Sequence, residues 1–300
     1  MNEYILNRYK ILGKIGEGVH GIVLKAHDTT QNNKVVAIKK VSLRTKFGGI
    51  SPNTLREIKT LQHADCEYII SLLDMYPDLS GLCLVFDYMP YTLYSKLKDD
   101  ENPLSRQNIQ SYTRMLLRGL AYLHDEMRIM HRDIKPANLL INEHDELRIA
   151  DFGLARLMYP PDDKRKCYSP QVQTRWYRSP EILWGCQTYG PSIDLWAVGL
   201  VFAEMLRGVP LFAGNTDIEQ LALVIRTLGT PTLTWPEVVN LPDYNKIRFP
   251  NSKREEWENI FPSFTTKEEI GLVDSLVKYN PKQRFTAKEA LCHEYFGRNL

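Results

Sequence analysis

At 300 residues the chain has room for one large domain or two packed lobes, and its 43% hydrophobic and 25% charged residues suit an ordinary globular protein. Lys and Arg number 38 against 36 Asp and Glu, a net +2, which excludes a global field that would draw nucleic acid or a membrane surface. Five cysteines, an odd number with no C-x-x-C pair, argue against a disulfide framework or zinc site and for a reducing compartment.

The N-terminus "MNEYILNRYK" lacks the long apolar core of a signal peptide, and Asn2 stands where myristoylation needs glycine. The most apolar run, "IDLWAVGLVFAEMLRG", carries Asp194 and Glu204 and is too short to span a bilayer. The expectation is a compact cytosolic-type protein with neither membrane nor nucleic acid as partner.

The first ninety or so residues read as β-rich. "YKILGKIG", "GIVLKAHD", "KVVAIKKVS", "YIISLLDMY" and "GLCLVFDYM" are short Val/Ile/Leu/Tyr runs between turn residues. One helix interrupts them: in "SPNTLREIKTLQH", Ser51 caps and Pro52 takes the first helical position, where a missing N–H costs nothing. From Pro103 the pattern turns helical. "LSRQNIQSYTRMLLRGLAYLHDE" places Ile109, Tyr112, Met115, Leu116, Leu120 and Leu123 on one stripe. "SIDLWAVGLVFAEMLRG" is apolar nearly all round and predicts a buried helix. "IEQLALVIRTLG" and "EEIGLVDSLVKY" predict two more, with Gly229 ending the first. The fold class is α+β: a small antiparallel β lobe with one helix, then a larger, mainly α-helical lobe, with the break near Met89 to Leu93.

In "IGEGVHGIVLKA", Gly16, Gly18 and Gly21 form a G-x-G-x-x-G with β-type runs on both sides, so it reads as a hairpin rather than a strand-to-helix turn. Its side-chain-free tip can lie over phosphates, although a glycine-rich hairpin without a ligand has the same pattern. "VVAIKK" puts Lys39 at the end of the third strand, and "LREI" puts Glu57 on the helix that follows. Each alone is equally a surface charge; their order suits an ion pair aiming the ammonium at α/β-phosphate oxygens. "HRDIKPANLL" offers Asp133, Lys135 and Asn138, and "IADFGLAR" offers Asp151. Singly these are also loop-capping residues. Together they supply a carboxylate base, a lysine for the γ-phosphate, and an amide plus carboxylate for Mg2+, the positioning and charge neutralisation that phosphoryl transfer from ATP needs.

On these motifs the chain resembles a eukaryotic protein kinase from Tyr9 to Phe296, with residues 9–88 as the N-lobe, 89–296 as the C-lobe, and 1–8 and 297–300 as short termini. "HRDIKPAN" resembles the serine/threonine class. "SPNTLRE", "DFGLAR", "WYRSPEIL" and "LGTPTLTWPEVVNLPDYNKIRF" resemble the cyclin-dependent kinases, and "GEGVHGIV", "DIEQL" and "LPDYNKI" their cell-cycle-related branch. The resemblance implies that Ile15, Gly16, Glu17, Gly18, Val19, Gly21, Val23, Ala37 and Leu140 bind ATP, together with Lys39, Glu57, Asn138 and Asp151. Phe86 matches the gatekeeper, and Asp87 and Met89 the backbone that binds adenine. Thr174 matches the threonine between the catalytic Asp133 and Lys135, and Asp194 the buried aspartate bracing the catalytic loop. Glu181 and Arg284 match a structural pair.

Val172 and Arg178 match the pair shaping the site after the phosphoacceptor, where a main-chain carbonyl is tied up; a substrate N–H would lack an acceptor there, so the implied preference is Ser/Thr-Pro. Ser169 occupies the activating phosphosite, with Arg56, Arg132 and Arg156 converging on it, whereas Ser179 is a packing position. Implied partners are proline-directed protein substrates and a cyclin-type activating subunit. The implied location is nucleus or cytoplasm, with the cilium suggested by the branch.

The sequence departs from that pattern in four places, two of them at Ser169, where threonine is usual, and at Ser179, where the A-P-E motif has alanine. Val19-His20 replaces the Thr-Tyr that many relatives use for inhibitory phosphorylation, and "SPNTLRE" differs from the best-known cyclin-binding helix. A kinase-fold scaffold without activity would have lost Lys39, Asp133, Asn138 or Asp151, and all four are present. A small-molecule phosphotransferase fits poorly with the long Asp151-to-Glu181 segment, which suits a polypeptide substrate.

Overall fold

The computed structural model describes residues 8–18, 21–42, 50–78, 81–160, 163 and 167–297. Strands β1 (Tyr9–Gly18), β2 (Gly21–Asp28), β3 (Lys34–Ser42), β4 (Leu72–Asp78) and β5 (Gly81–Asp87) form one antiparallel sheet in the order β1-β2-β3-β5-β4. Strand alternation puts Val36 and Ile38 of β3 on one face, where both are buried with Tyr9, Ala26, Cys83 and Val85 in a small core of their own. Lys39 lies within β3, which runs on to Ser42, and not at the end of the strand as its sequence suggests.

Helix α1 (Pro52–His63) is the expected interruption. The Ser51 hydroxyl accepts from Thr54 N–H at 3.1 Å and Pro52 opens the helix. The predicted strand at 68–76 is only half right. Its first residues leave the sheet: Ile69 forms an isolated parallel bridge to Ile149, and Ile70 N–H donates to the Ile149 carbonyl at 3.0 Å. Both isoleucines are apolar because they are buried against the helical part, and pairing with β5 begins only at Leu72.

Strand β6 (Tyr91–Thr92) and helix α2 (Leu93–Leu97) open the larger part. Helix α3 (Arg106–Ala121) buries the predicted stripe on Ile109, Tyr112, Leu116 and Leu120, with Met115 packed beside it. It stops earlier than the stripe suggests. Residues 122–126 form a wider π-type turn, and His124 Nε2 there lies 2.9 Å from Asp194 Oδ2. The short strands β7 (Ile129–Met130), β8 (Leu139–Ile141), β9 (Leu147–Ile149) and β10 (Arg156–Leu157) carry the loops between them. Helices α4 (Pro180–Leu183), α5 (Ser192–Arg207), α6 (Asp217–Leu228), α7 (Trp257–Ile260), α8 (Lys267–Leu276) and α9 (Ala287–Leu291) complete the chain.

Helix α5 is buried along nearly its whole length, as its apolar composition predicts. Gly229 ends α6 at φ 81°, a conformation that favours glycine. The fold is therefore the bilobal α+β arrangement the sequence suggests. Among the described residues no helix is long and apolar enough to cross a membrane.

Candidate active site

The β1–β2 hairpin pairs Gly16 with Val23 and Gly18 with Gly21. Gly21 has φ 124°, and a Cβ there would lie 1.9 Å from the Lys40 carbonyl oxygen, so only glycine fits. Beneath the hairpin is a cavity of about 590 Å³. Ile15, Gly16, Glu17, Gly21 and Val23 form its roof; Ala37, Lys39 and Glu57 its inner wall. Phe86, Asp87 and Met89 line the connection between the two parts, with Asn138, Leu140 and Asp151 below. Gly18 pairs with Gly21 at the hairpin tip, and Val19 and His20 lie outside the described residues. Ile70, Tyr88 and Ala150 also line the cavity, and the motif reading missed them. Ile70 had no local signal because its place depends on the bridge to β9.

Lys39 Nζ donates to both Glu57 carboxylate oxygens, at 2.7 and 2.8 Å, so α1 is seated against the sheet. The Asp87 carboxylate is taken by Lys34 at 2.7 Å and Arg148 at 2.8 Å, so this side chain is tied up at the edge of the cavity.

The loop after β7 gathers the other candidates around Asp133. Thr174 donates its N–H at 3.0 Å and its hydroxyl at 2.9 Å to Asp133 Oδ1. Lys135 Nζ lies 2.8 Å from Oδ2 and donates to Thr174 Oγ1 at 2.9 Å. Asn138 Nδ2 donates to Oδ2 at 3.0 Å. Burial pushes the Asp133 carboxyl up, but the Lys135 charge and the hydrogen bonds from Lys135 and Thr174 outweigh it and hold the group below the usual carboxylate range. The loop is braced from beneath. Asp194, fully buried, accepts from the main-chain N–H of His131 at 2.9 Å and of Arg132 at 2.8 Å, which supports the left-handed φ of 68° at Arg132.

Asn138 and Asp151 line the same cavity, and the Asn138 amide nitrogen is spent on Asp133, so its oxygen is the part left for a cation. No cluster of three or more His, Cys, Asp or Glu that could hold a metal occurs among the described residues. One carboxylate and one amide fit Mg2+, which takes most of its oxygens from phosphates and water.

Towards the protein surface, Gln173 has φ 63°, and the carbonyls of Val172 and Gln173 both accept from Arg178, through Nε and Nη2 at 3.0 Å each. Ser169 is exposed and shares a cavity of about 270 Å³ with Arg56, Arg132 and Arg156. None of the three arginines makes an ion pair among the described residues. Burial, then the charges of Arg156 and Arg132, hold the Arg56 guanidinium below its usual range. Ser179 is fully buried at the start of α4, out of reach of a modifying enzyme. Glu181 and Arg284 form a buried two-armed pair at 2.6 and 2.7 Å.

The family described as the protein kinase domain matches residues 9–296. The chain is 48% identical over 293 residues to cyclin-dependent kinase 20 of Danio rerio, covering 97% of this chain and 84% of the relative. Against cyclin-dependent kinase 20 of Homo sapiens the identity is 44%, covering 97% and 83%. Cyclin-dependent kinase D-1 of Arabidopsis thaliana is 38% identical, covering 97% of this chain and 72% of the relative.

Proposed function

The chain belongs to the protein kinase family, as a serine/threonine kinase of the cyclin-dependent kinase type, and on that premise we propose a proline-directed, ATP- and Mg2+-dependent enzyme activated through Ser169. The observation that carries the catalytic part is the convergence of Thr174, Lys135 and Asn138 on one depressed carboxylate, Asp133, beside a cavity that holds the Lys39–Glu57 pair.

Asp133 accepts the proton as a Ser or Thr hydroxyl oxygen bonds to the γ-phosphorus. The bond from that phosphorus to the bridging oxygen breaks, and ADP leaves with the electron pair. Lys39 holds the α/β-phosphates and Lys135 balances charge at the γ-phosphate. Asn138 and Asp151 would hold Mg2+, which would supply charge neutralisation at the phosphate oxygens. The ionised state of Asp133 supports its role as acceptor.

The proline preference is supported by Arg178, which occupies the Val172 and Gln173 carbonyls, so the N–H of a non-proline residue finds no acceptor there. Activation at Ser169 is supported by its three arginines, none in an ion pair among the described residues, since a phosphate brings about −1.5 to −2 charges and three acceptor oxygens. A cyclin-type partner is supported by a groove of about 1080 Å³ on the outer side of α1, lined by Lys59, His63, Met127 and the exposed Leu157. Because α1 carries Glu57, a partner seated there acts on the Lys39 pair.

The test is phosphate transfer from labelled ATP to Ser-Pro and Ser-Ala peptides, with and without added cyclins. Replacing proline by alanine should lower kcat/KM by an amount equivalent to about 1–3 kcal/mol, the penalty for an unpaired buried N–H. Equal rates on the two peptides would overturn the proline-directed reading.

A further inference from the structure

Arg178 has a third partner. Its Nη1 donates to both oxygens of Asp217, at 3.0 and 2.9 Å, while Nε and Nη2 hold the Val172 and Gln173 carbonyls. Asp217 is the first residue of α6 and lies 39 residues from Arg178 in the chain. It also accepts from Arg175 Nε at 3.0 Å, and Arg175 Nη1 donates to the Asn215 carbonyl at 2.8 Å. The carboxylate is spare for this work, because α6 is capped separately by the Thr216 hydroxyl, which accepts from Glu219 N–H.

The two ends of the guanidinium therefore answer to different elements. Without Asp217, only the two carbonyl bonds hold Arg178 inward, and the guanidinium swings out towards water more often. Each excursion uncovers acceptors in the pocket that selects proline. An acid in the first turn of a helix is favourable in itself, so the charge sits at this point without strain.

We infer that Asp217 is a positioning residue that sets substrate specificity: by pinning Arg178 from the outer side it keeps the Val172 and Gln173 carbonyls occupied and so enforces proline after the phosphoacceptor. The inference rests on the proline-directed reading. The plain alternative is a half-exposed ion pair with no effect beyond a small contribution to stability.

The two make opposite predictions for a non-proline substrate. When Asp217 is removed, a freed carbonyl accepts the substrate N–H, so Ser-Ala peptides become better substrates while Ser-Pro peptides do not. A general loosening of the region lowers both together.

The experiment measures kcat/KM for matched Ser-Pro and Ser-Ala peptides in wild type, Asp217→Ala and Asp217→Glu. One active preparation protocol is used for the full chain, with thermal melts as a control for folding. Asp217→Ala should raise kcat/KM on Ser-Ala and reduce the Ser-Pro to Ser-Ala ratio about threefold to tenfold, the range of a charge-assisted pair near the surface. Asp217→Glu, which keeps the charge, should restore most of the ratio. A wild type that discriminates, with Asp217→Ala losing activity on both peptides in proportion, would overturn the role of Asp217 alone. A wild type with a ratio near one would overturn the proline-directed reading and this inference with it.

Discussion

Replacing Ser169 by alanine removes an exposed hydroxyl that shares a cavity with Arg56, Arg132 and Arg156. Each arginine sits beside a working part: Arg56 on α1 before Glu57, Arg132 before Asp133, and Arg156 on β10 after the Asp151 loop. Arg132 is 4% exposed and already holds the Leu154 carbonyl and the Tyr189 hydroxyl, whereas Arg56 and Arg156 are half-buried. A hydrogen bond to a charged group contributes about 1.5–3 kcal/mol when sheltered and about 1 kcal/mol or less when exposed. One sheltered and two screened contacts therefore total about 3 kcal/mol, with further gain as the mutual repulsion of the arginines is relieved.

At about 1.4 kcal/mol per decade this shifts the docked population of the segment on the order of a hundredfold. The assay compares Ser169→Ala, phosphorylated wild type and dephosphorylated wild type on one peptide, with ATP affinity measured alongside. The phosphorylated form should exceed the other two by about that factor in kcat/KM for peptide, with ATP affinity nearly equal in all three. If all three turn over at the same rate, the arginine cluster is not a phosphate switch and Ser169 is only a turn residue.

Asp133→Asn should leave ATP binding nearly intact and lower turnover by about 10² to 10⁴, the usual contribution of a positioned base; turnover like wild type would remove Asp133 from the mechanism. Thr174→Val deletes a hydrogen bond that lowers the Asp133 pKa, so the carboxyl should rise and the acid limb of the pH–rate profile should move to higher pH. An unmoved limb would show that Asp133 does not govern it. Arg284→Met strands the buried Glu181 carboxylate and should destabilise the fold by about 3–5 kcal/mol in denaturant titrations; a loss under 1 kcal/mol would contradict the buried pair.

Features carried by a few neighbouring residues were legible in the sequence. Ser51 and Pro52 mark the start of α1, Gly229 marks the end of α6, and the spacing from Ile109 to Leu120 marks the buried face of α3, because caps, positive φ and helical period act within one or two turns. The order of Gly16, Lys39, Glu57, Asp133, Asn138 and Asp151 along the chain likewise implies a shared phosphate site.

Tertiary structure alone decided the rest. Ile69 and Ile70 look like the start of a strand, yet their partner is Ile149 of β9, which no local pattern names. Helix α3 gives way to a wider turn where His124 meets Asp194, 70 residues away. Asp217 reads as an ordinary first-turn acid of α6 until the fold brings Arg178 and Arg175 to it. In each case the deciding bond joins residues far apart in the chain, and such a bond depends on how whole elements pack against one another. Periodicity and caps, which act over a few residues, carry no information about that packing.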